Sequence, residues 1–287
     1  MENFVILIPS YNDWESLNVL IPKINNAVKN INKNINILIV NDSSTLKNNL
    51  VFKEKLFFKK IEILNLIKNI KAQKAIATAL YHLKNKNYKG GIIVMDADGQ
   101  DDPENLIKII KYYEKNNGKI ITVNRTKRNE SLLFKVLYEI HLFLSFILTF
   151  QNLRFGVYSC MNQNNLKEIL SNNDLCSAFA GALAKNFKNK GIIYSERKKR
   201  LLGESKNSYL NLIYYSLSIL SVFKFRLSIH SIIILFLFYF ISSFYFFLLL
   251  APMIIFIFLI FYINFKNNKF DLKNCLNNVS NLENINL

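Results

Sequence analysis

The sequence predicts an α/β fold, in which a sheet flanked by helices is followed by an amphipathic helix and a membrane hairpin. Short apolar runs alternate with stretches of helical period up to residue 226, which is typical of βαβ units. Residues 227–265 carry no formally charged side chain. We therefore predict a globular domain over 1–206, an amphipathic helix over 207–226, two short transmembrane helices over 227–265 and a disordered cytoplasmic tail over 266–287.

The elements of the globular domain follow from this alternation. Apolar runs predict buried strands over 4–8, 35–40, 61–66, 92–95 and 119–124. Helical periodicity predicts helices over about 13–30, 51–60, 72–84 and 103–116. Strands that alternate with helices in this way indicate a parallel sheet with right-handed crossovers.

An acidic loop, DADGQDDP, follows the predicted strand 92–95. Asp96 and Asp98 are two residues apart and come just past the carboxyl end of a buried strand, where α/β sheets bind ligands. Both carboxylates can reach one hard cation, and such a cation usually brings phosphates with it. The alternative is a solvated acidic turn, since Asp and Gly are common in turns.

Residues 132–150 are mostly apolar and long enough to raise the question of a membrane span. Lys135, Glu139 and His141 lie near one stripe of this segment, and a charge near the centre of a span is costly. This favours an interfacial or core helix.

The predicted hairpin would be roughly 58 Å long as one helix, far more than the ~30 Å of a bilayer core. We therefore predict two spans that turn near Pro252. Cations precede the pair at Lys224 and Arg226 and follow it at Lys266 and Lys269. This distribution places both ends in the cytoplasm, so the protein is expected in the cytoplasmic membrane as a multi-pass protein.

The composition limits the partners. The formal net charge of +17 indicates an anionic partner: a nucleic acid, a membrane surface or a phosphorylated substrate. A dense basic segment, 195–206, is either a solvated charge run or an anion-binding loop. Three widely spaced cysteines indicate neither a disulfide framework nor zinc, and the N-terminus has no basic region typical of a signal peptide.

Six segments together resemble family 2 glycosyltransferases of the GT-A type, which implies a Rossmann-like mixed sheet. The branch that the chain resembles most contains dolichol-phosphate mannose synthase and bacterial polyprenyl-phosphate glycosyltransferases. The resemblance covers about residues 4–226 in the order and spacing of the family. Its segments are VILIPSYND, ILIVNDSS, NIKAQKAIATAL, IIVMDADGQDDP, the pair Arg125 and Arg128, and RLLGESKNSY.

The resemblance implies a role for each matching residue. In the family, the positions of Asp96, Asp98 and Gln100 hold Mg²⁺ or Mn²⁺ on the donor diphosphate, and Asp101 continues this motif. The first loop and the residue that contacts the base or ribose are matched by Pro9, Tyr11, Asp13 and Asp42. The positions that neutralise the donor diphosphate and the acceptor phosphate are matched by Arg125, Arg128, Arg200, Ser205 and Lys206. We expect Asp98, Asp101 and Arg125 to be catalytic.

The chain also departs from the family pattern. Asn41 replaces an Asp that is common in the second segment, Lys71 stands where a Gly is usual, and Gly99 replaces a bulkier residue. Val157 occupies the position of an Asp often proposed as the catalytic base. A phosphate acceptor is largely ionised at neutral pH and needs no base, whereas a hydroxyl acceptor does. Asp101 as a substitute base is the alternative.

The implied function is inverting transfer of one sugar from a UDP- or GDP-linked donor to a polyprenyl phosphate at the cytoplasmic face of the membrane. The alternative acceptor is a hydroxyl of a lipid-linked saccharide or another cell-envelope glycan. A non-enzyme alternative is a basic membrane-surface binding protein. We expect no nucleic-acid partner, and assembly into a homo-oligomer is left open.

Overall fold

A computed structural model of the chain describes residues 3–52, 54–86, 88, 90–116, 118–126, 132–202 and 208–285. Among these residues, eight strands form one mixed sheet in the order β7-β5-β6-β4-β1-β2-β3-β8. They are β1 (Asn3–Ser10), β2 (Asn34–Asn41), β3 (Lys60–Leu66), β4 (Ile92–Val94), β5 (Ile121–Arg125), β6 (Phe155–Met161), β7 (Gly191–Ser195) and β8 (Val279–Ile285). Strand β6 runs antiparallel to β4 and β5, and β8 runs antiparallel to β3. The predicted mixed α/β fold is confirmed.

Helices cover both faces of the sheet. They are α1 (Trp14–Val28), α2 (Ala72–Leu83), α3 (Asn105–Lys115), α4 (Leu132–Thr149), α5 (Gln163–Ile169), α6 (Asp174–Ser177), α7 (Phe179–Asn186), α8 (Tyr209–Ser221), α9 (Lys224–Ile241) and α10 (Ser243–Asn268). Side chains of β1 alternate between two cores: Ile6 and Ile8 pack with α1 and α3, whereas Val5 and Leu7 pack with α2. Because both faces are buried, the inner strands need apolar residues at every position.

The helix predicted over residues 51–60 is wrong. None of the described residues of that segment is helical before β3 begins at Lys60. Side chains of α1 bind the backbone of the segment instead: Asn18 accepts from Val51 N at 2.9 Å, and Asn25 accepts from Phe57 N at 2.7 Å. These bonds satisfy backbone N–H groups of a segment that forms no helix of its own.

The two C-terminal helices are long and apolar enough to cross a membrane, and most of their surface is exposed. The predicted turn at Pro252 is wrong, since Pro252 lies inside α10 and the helices separate at Ser242. Ser242 is extended, with φ −166° and ψ 124°, and this geometry ends α9. A break at Ser242 leaves 18 and 26 residues in the two helices, about 27 and 39 Å.

The disordered tail predicted over 266–287 is also wrong for its described residues. Helix α10 continues to Asn268, a 3₁₀ turn covers Cys275–Asn278, and β8 pairs with β3 from Ile61↔Ile285 to Leu66↔Val279. Without β8, the edge of β3 would expose unpaired backbone groups, and pairing satisfies them. Leu282 and Val279 add apolar contact with the core.

Helix α4 confirms the helix predicted over 132–150, and its contact with a membrane stays a prediction. Its carboxyl end is bound to α9, because Arg226 Nη1 donates to Thr149 O at 3.0 Å and His230 Nδ1 lies 2.8 Å from Leu148 O. Several large apolar side chains of α4 are exposed, among them Ile140 and Phe143.

Candidate active site

Most of the predicted site residues meet at the carboxyl ends of the parallel strands. Pro9 lies in β1, Tyr11 and Asp13 follow that strand, Asp42 follows β2, and Arg125 ends β5. The acidic loop follows β4, and Arg200 reaches it from the segment after β7. Three predicted residues lie outside the described part of the chain: Arg128, Ser205 and Lys206.

The acidic loop is folded back on itself. Asp96 N donates to Asp101 Oδ2 at 3.0 Å, and Gln100 N donates to Asp98 Oδ1 at 3.0 Å. The side chains of Asp98 and Asp101 are 14% and 5% exposed. The loop is therefore an ordered, partly buried carboxylate cluster rather than a solvated turn.

The basic segment 196–202 packs directly on the acidic loop. Arg200 Nη1 lies 3.4 Å from Asp98 Oδ2, and its Nη2 donates to Asp13 Oδ1 at 2.7 Å. Arg197 donates to Gln100 Oε1 at 2.5 Å, and Lys198 Nζ lies 3.3 Å from an Asp102 carboxylate oxygen. Arg197 and Arg200 are thus half-buried against the acidic loop, whereas the side chain of Lys198 is 58% exposed.

Backbone bonds fix the same contact. Lys198 N donates to Gln100 O and Leu201 N donates to Asp98 O, both at 3.0 Å. Gly99 has φ +73°, and a Cβ atom there would lie 2.3 Å from Leu201. The departure at Gly99 therefore has a structural cause, since only glycine leaves room for the Leu201 side chain at this φ.

Arg125 lies on the other side of the acidic loop. Its Nη2 lies 3.9 Å from Asp96 Oδ2 and 3.8 Å from Asp101 Oδ1, and its side chain is 14% exposed. Gly156 makes room for it, because a Cβ atom at that position would approach Arg125 Nη2 to 2.4 Å. The acidic loop is thus held between two arginines, Arg125 and Arg200.

A comparison of the sequence with known protein families agrees with this geometry. The family model described as Glycosyl transferase family 2 matches residues 5–166, more than half of the chain. The chain belongs to glycosyl transferase family 2.

A sequence relative of this family 2 chain is the undecaprenyl-phosphate 4-deoxy-4-formamido-L-arabinose transferase of Photorhabdus laumondii. The two are 27% identical over 214 residues, which cover 72% of the chain and 64% of the relative. The match thus leaves more than a third of the relative uncovered. The resemblance to polyprenyl-phosphate glycosyltransferases is confirmed.

Two solved structures share the fold of the family 2 chain. Mannosyl-3-phosphoglycerate synthase from Rubrobacter xylanophilus matches with a TM-score of 0.52 at 12% identity, covering 79% of the chain and 74% of that protein. Glucosyl-3-phosphoglycerate synthase from Mycobacterium tuberculosis, in complex with UDP, matches with a TM-score of 0.51 at 9% identity, covering 79% and 80%. At these identities, the matches establish the GT-A fold alone.

The electrostatics of the family 2 site follow from its crowded carboxylates. Burial and the neighbouring Asp101 and Asp98 raise the pKa of Asp96 to about 7, although Arg125 opposes this shift. Burial also raises the pKa of Asp101 against the attraction of Arg125. The raised pKa values mean that the protein stabilises the ionised carboxylates of the loop poorly. A bound cation would supply the positive charge that they lack.

The acidic loop offers few oxygen ligands for a divalent ion, and two of its side chains are paired with arginines: Gln100 Oε1 accepts from Arg197, and Asp98 Oδ2 lies 3.4 Å from Arg200 Nη1. Among the described residues, His, Cys, Asp and Glu side chains form no group of three or more that could hold a metal ion. Asp96, Asp98 and Gln100 offer the oxygen atoms that Mg²⁺ or Mn²⁺ prefers. Since they are too few for a closed cage, substrate oxygens or water would have to complete the coordination.

The nucleotide end of the predicted site is built around Asp42. Its Oδ1 accepts from Ile70 N at 2.8 Å, and its own N–H donates to Ser10 O at 2.9 Å. Burial raises the pKa of Asp42 to about 6, although the hydrogen bond from Ile70 N opposes this shift. Tyr11 stands nearby on the first loop and is 37% exposed, so its ring is accessible to a ligand.

Val157 is buried in the core, where it packs with Phe155. Ser159, two residues later in β6, donates its hydroxyl proton to Val157 O at 2.9 Å. Neither residue supplies a carboxylate to the cleft. The alternative predicted base is Asp101, whose carboxylate contacts Asp96 N and Arg125.

Sequence reasoning missed Arg197, Lys198 and Gly156. The two cations belonged to a basic run in which no pattern distinguishes inward from outward side chains. A lone glycine in a strand is the one signal that could have located Gly156, because it often marks a close approach.

Proposed function

We propose that this chain is a membrane-bound, inverting glycosyltransferase that moves one sugar from a nucleotide-sugar donor to a polyprenyl phosphate at the cytoplasmic face. The observation that carries the proposal is the acidic loop around Asp98, held between Arg125 and Arg200 at the ligand-binding edge of the sheet. This arrangement suits the diphosphate of a UDP- or GDP-linked sugar. The printed name of the Photorhabdus relative, an undecaprenyl-phosphate sugar transferase, supports the acceptor class.

The residues would divide the chemistry as follows. Mg²⁺ or Mn²⁺, when held by Asp96, Asp98 and Gln100, supplies positive charge to the leaving nucleoside diphosphate. Arg125 and Arg200 supply fixed cations beside it, and preorganised charge of this kind stabilises a developing anion most effectively. Asp101 holds the backbone of the loop through Asp96 N. A single in-line displacement inverts the anomeric centre.

The buried Val157 supports a phosphate acceptor. A phosphate monoester has a second pKa near ~6 and is already ionised at neutral pH, so its oxygen can attack without a base. A hydroxyl acceptor would need a base, which typically contributes about 10² to 10⁴ in rate. Transfer to a hydroxyl of a lipid-linked saccharide is the second candidate, and the retained carboxylate of Asp101 is what favours it.

The sheet itself supports the membrane topology. Strands β1 to β7 precede the apolar pair α9 and α10, and β8 follows it, yet all eight belong to one sheet. This supports a topology in which both ends of the pair lie on the same side of a membrane and the pair crosses it twice. The flanking cations Lys224, Arg226, Lys266 and Lys269 support a cytoplasmic position for both ends.

The test is lipid labelling by membranes that contain the protein. They are incubated with a panel of labelled sugar nucleotides, Mg²⁺ or Mn²⁺, and undecaprenyl phosphate. The proposal predicts label in the lipid fraction with one donor, lost in Asp98→Ala and in the isosteric Asp98→Asn. Glu168→Ala is a control, because Glu168 is an exposed acidic residue of α5. If no donor labels lipid in the wild type, the proposed function fails.

A further inference from the structure

Four polar residues connect the C-terminal strand to the ligand-binding edge of the sheet. Asn65 Nδ2 donates to Glu283 Oε1 at 2.8 Å, and Asn41 Nδ2 donates to Asn65 Oδ1 at 2.7 Å. Asn41 Oδ1 then accepts from Ser44 N at 2.9 Å. We call Glu283, Asn65, Asn41 and Ser44 the edge relay.

The edge relay follows the register of the sheet. Asn41 pairs with Asn65 across β2 and β3, and Asn65 pairs with Asn281 across β3 and β8. The relay therefore runs across three strands at the carboxyl ends of β2 and β3, the end at which Asp42 begins the nucleotide part of the site.

The relay continues into the first loop. Asn12 N donates to Ser44 Oγ and Leu46 N donates to Asn12 Oδ1, both at 2.9 Å. Asn12 adopts φ 56°, a left-handed conformation that favours short polar residues. It directly precedes Asp13, the partner of Arg200. The far end of the relay thus lies one residue from the carboxylate that holds the basic segment.

The same C-terminal segment holds the loop after β3. Ile67 N donates to Asn278 O at 2.8 Å, and Asn278 Nδ2 donates to Lys68 O at 3.4 Å. Two residues later, Ile70 N donates to Asp42. The segment 278–283 therefore contacts the loop after β3 directly, and it reaches Asn41, the neighbour of Asp42, through Asn65.

We infer that β8 is a positioning element of the nucleotide end of the site, and that Glu283, Asn65 and Asn41 act through Ser44 and Asp42 on the binding of a nucleoside diphosphate. This inference rests on the proposed function. It also explains the departure at Asn41, because an aspartate at 41 would have no proton to donate to Asn65.

The direction of the relay makes a sharp prediction. In Asn41→Asp, the Asn65 amide must turn to donate to the new carboxylate, and its oxygen then faces the Glu283 carboxylate. Two acceptors without a proton repel each other, so the relay breaks. In the double variant Asn41→Asp/Glu283→Gln, the new amide at 283 can donate to the turned Asn65 oxygen, and the relay is restored with reversed direction.

The experiment measures binding of UDP and GDP, with Mn²⁺, to the full-length protein in detergent. Loss of one such hydrogen bond predicts that Glu283→Ala and Asn41→Asp bind the preferred nucleoside diphosphate about two- to tenfold more weakly. Glu283→Gln alone and Asn41→Asp/Glu283→Gln should bind as the wild type does. Asn284→Ala is the matched control, because it is exposed on the same strand and its pairing with Glu62 is through the backbone.

Turnover separates this positioning role from general destabilisation. The two weakened variants should raise the KM for the nucleotide sugar and leave kcat and the KM for the lipid acceptor unchanged. Wild-type affinity in both Glu283→Ala and Asn41→Asp would overturn the inference and leave the proposed function standing. Failure of the wild type to bind either nucleotide would instead overturn the proposed function, and the inference with it.

Discussion

Arg200 Nη1 lies 3.4 Å from Asp98 Oδ2, so a predicted diphosphate-binding cation is paired with a predicted metal ligand. The same guanidinium donates to Asp13. Because one planar fork bridges two carboxylates, binding of a metal ion and a diphosphate would require Arg200 to exchange one of these partners for phosphate oxygens.

Arg200→Gln is predicted to lower kcat/KM for the nucleotide sugar by about 10²-fold, because it removes a fixed charge beside the leaving group. Arg200→Lys retains the charge but not the fork, and should recover only part of the loss. Steady-state kinetics measure both effects. Lys199→Gln, at an exposed neighbour, is the control. Equal losses in Lys199→Gln and Arg200→Gln would show that only the total charge of the segment matters.

Gly99→Ala is predicted to weaken metal-dependent nucleoside diphosphate binding by about tenfold or more. The new methyl group would collide with Leu201 and would adopt φ +73°, a conformation that costs about 1–2 kcal/mol for a residue with a Cβ atom. In Gly99→Ala/Leu201→Ala the collision is removed and the backbone strain remains, so binding should recover in part. Unchanged affinity in Gly99→Ala would contradict the contact between the two loops.

Asp42 predicts a dependence of stability on pH. Its pKa is about 6 in the folded chain and 3.8 when unfolded, so the folded state binds the proton more tightly. The resulting stabilisation is complete below pH 3.8 and is lost as pH rises through 6, by about 3 kcal/mol in total. The thermal midpoint of the wild type should therefore fall relative to that of Asp42→Asn as pH rises through this range. A difference between them that does not change with pH would contradict the shift.

Val157→Asp is predicted to leave turnover on a polyprenyl phosphate within about tenfold, since an ionised phosphate needs no base. The substitution also buries a carboxyl group beside Phe155, so the thermal midpoint should fall. Val157→Asn is the matched control for burial of a polar group without charge. A gain of several hundredfold in Val157→Asp would show that a missing base limits the enzyme.

The strands and the acidic loop were predictable because their signals are local. Residues 92–95 are apolar at every position, and the carboxylates follow at once, so both the strand and its ligand-side end are visible in one short stretch. The cluster at Arg125 was accessible only through the family resemblance. Its partners Asp96 and Asp101 lie in the loop after β4, and the space for its side chain depends on Gly156 in β6.

The tail and the edge relay were not predictable from local pattern. Strand β8 has few apolar residues and follows an Asn-rich stretch. The apolar surface that it can bury does not offset the conformational entropy lost when the strand becomes ordered. The open edge of β3, more than 200 residues away, supplies the missing hydrogen bonds, as in the 218-residue separation of Asn65 and Glu283. The break at Ser242 was missed because Pro252 is the stronger local signal, although a membrane helix can accommodate proline.

The most direct measurement is transfer by the purified protein from its labelled donor to undecaprenyl phosphate and, in parallel, to undecaprenol, which has the same chain and a hydroxyl in place of the phosphate. The proposed function predicts labelled lipid with undecaprenyl phosphate only, and no product with Asp98→Asn. Label that enters undecaprenol as readily, or that persists in Asp98→Asn, would contradict it.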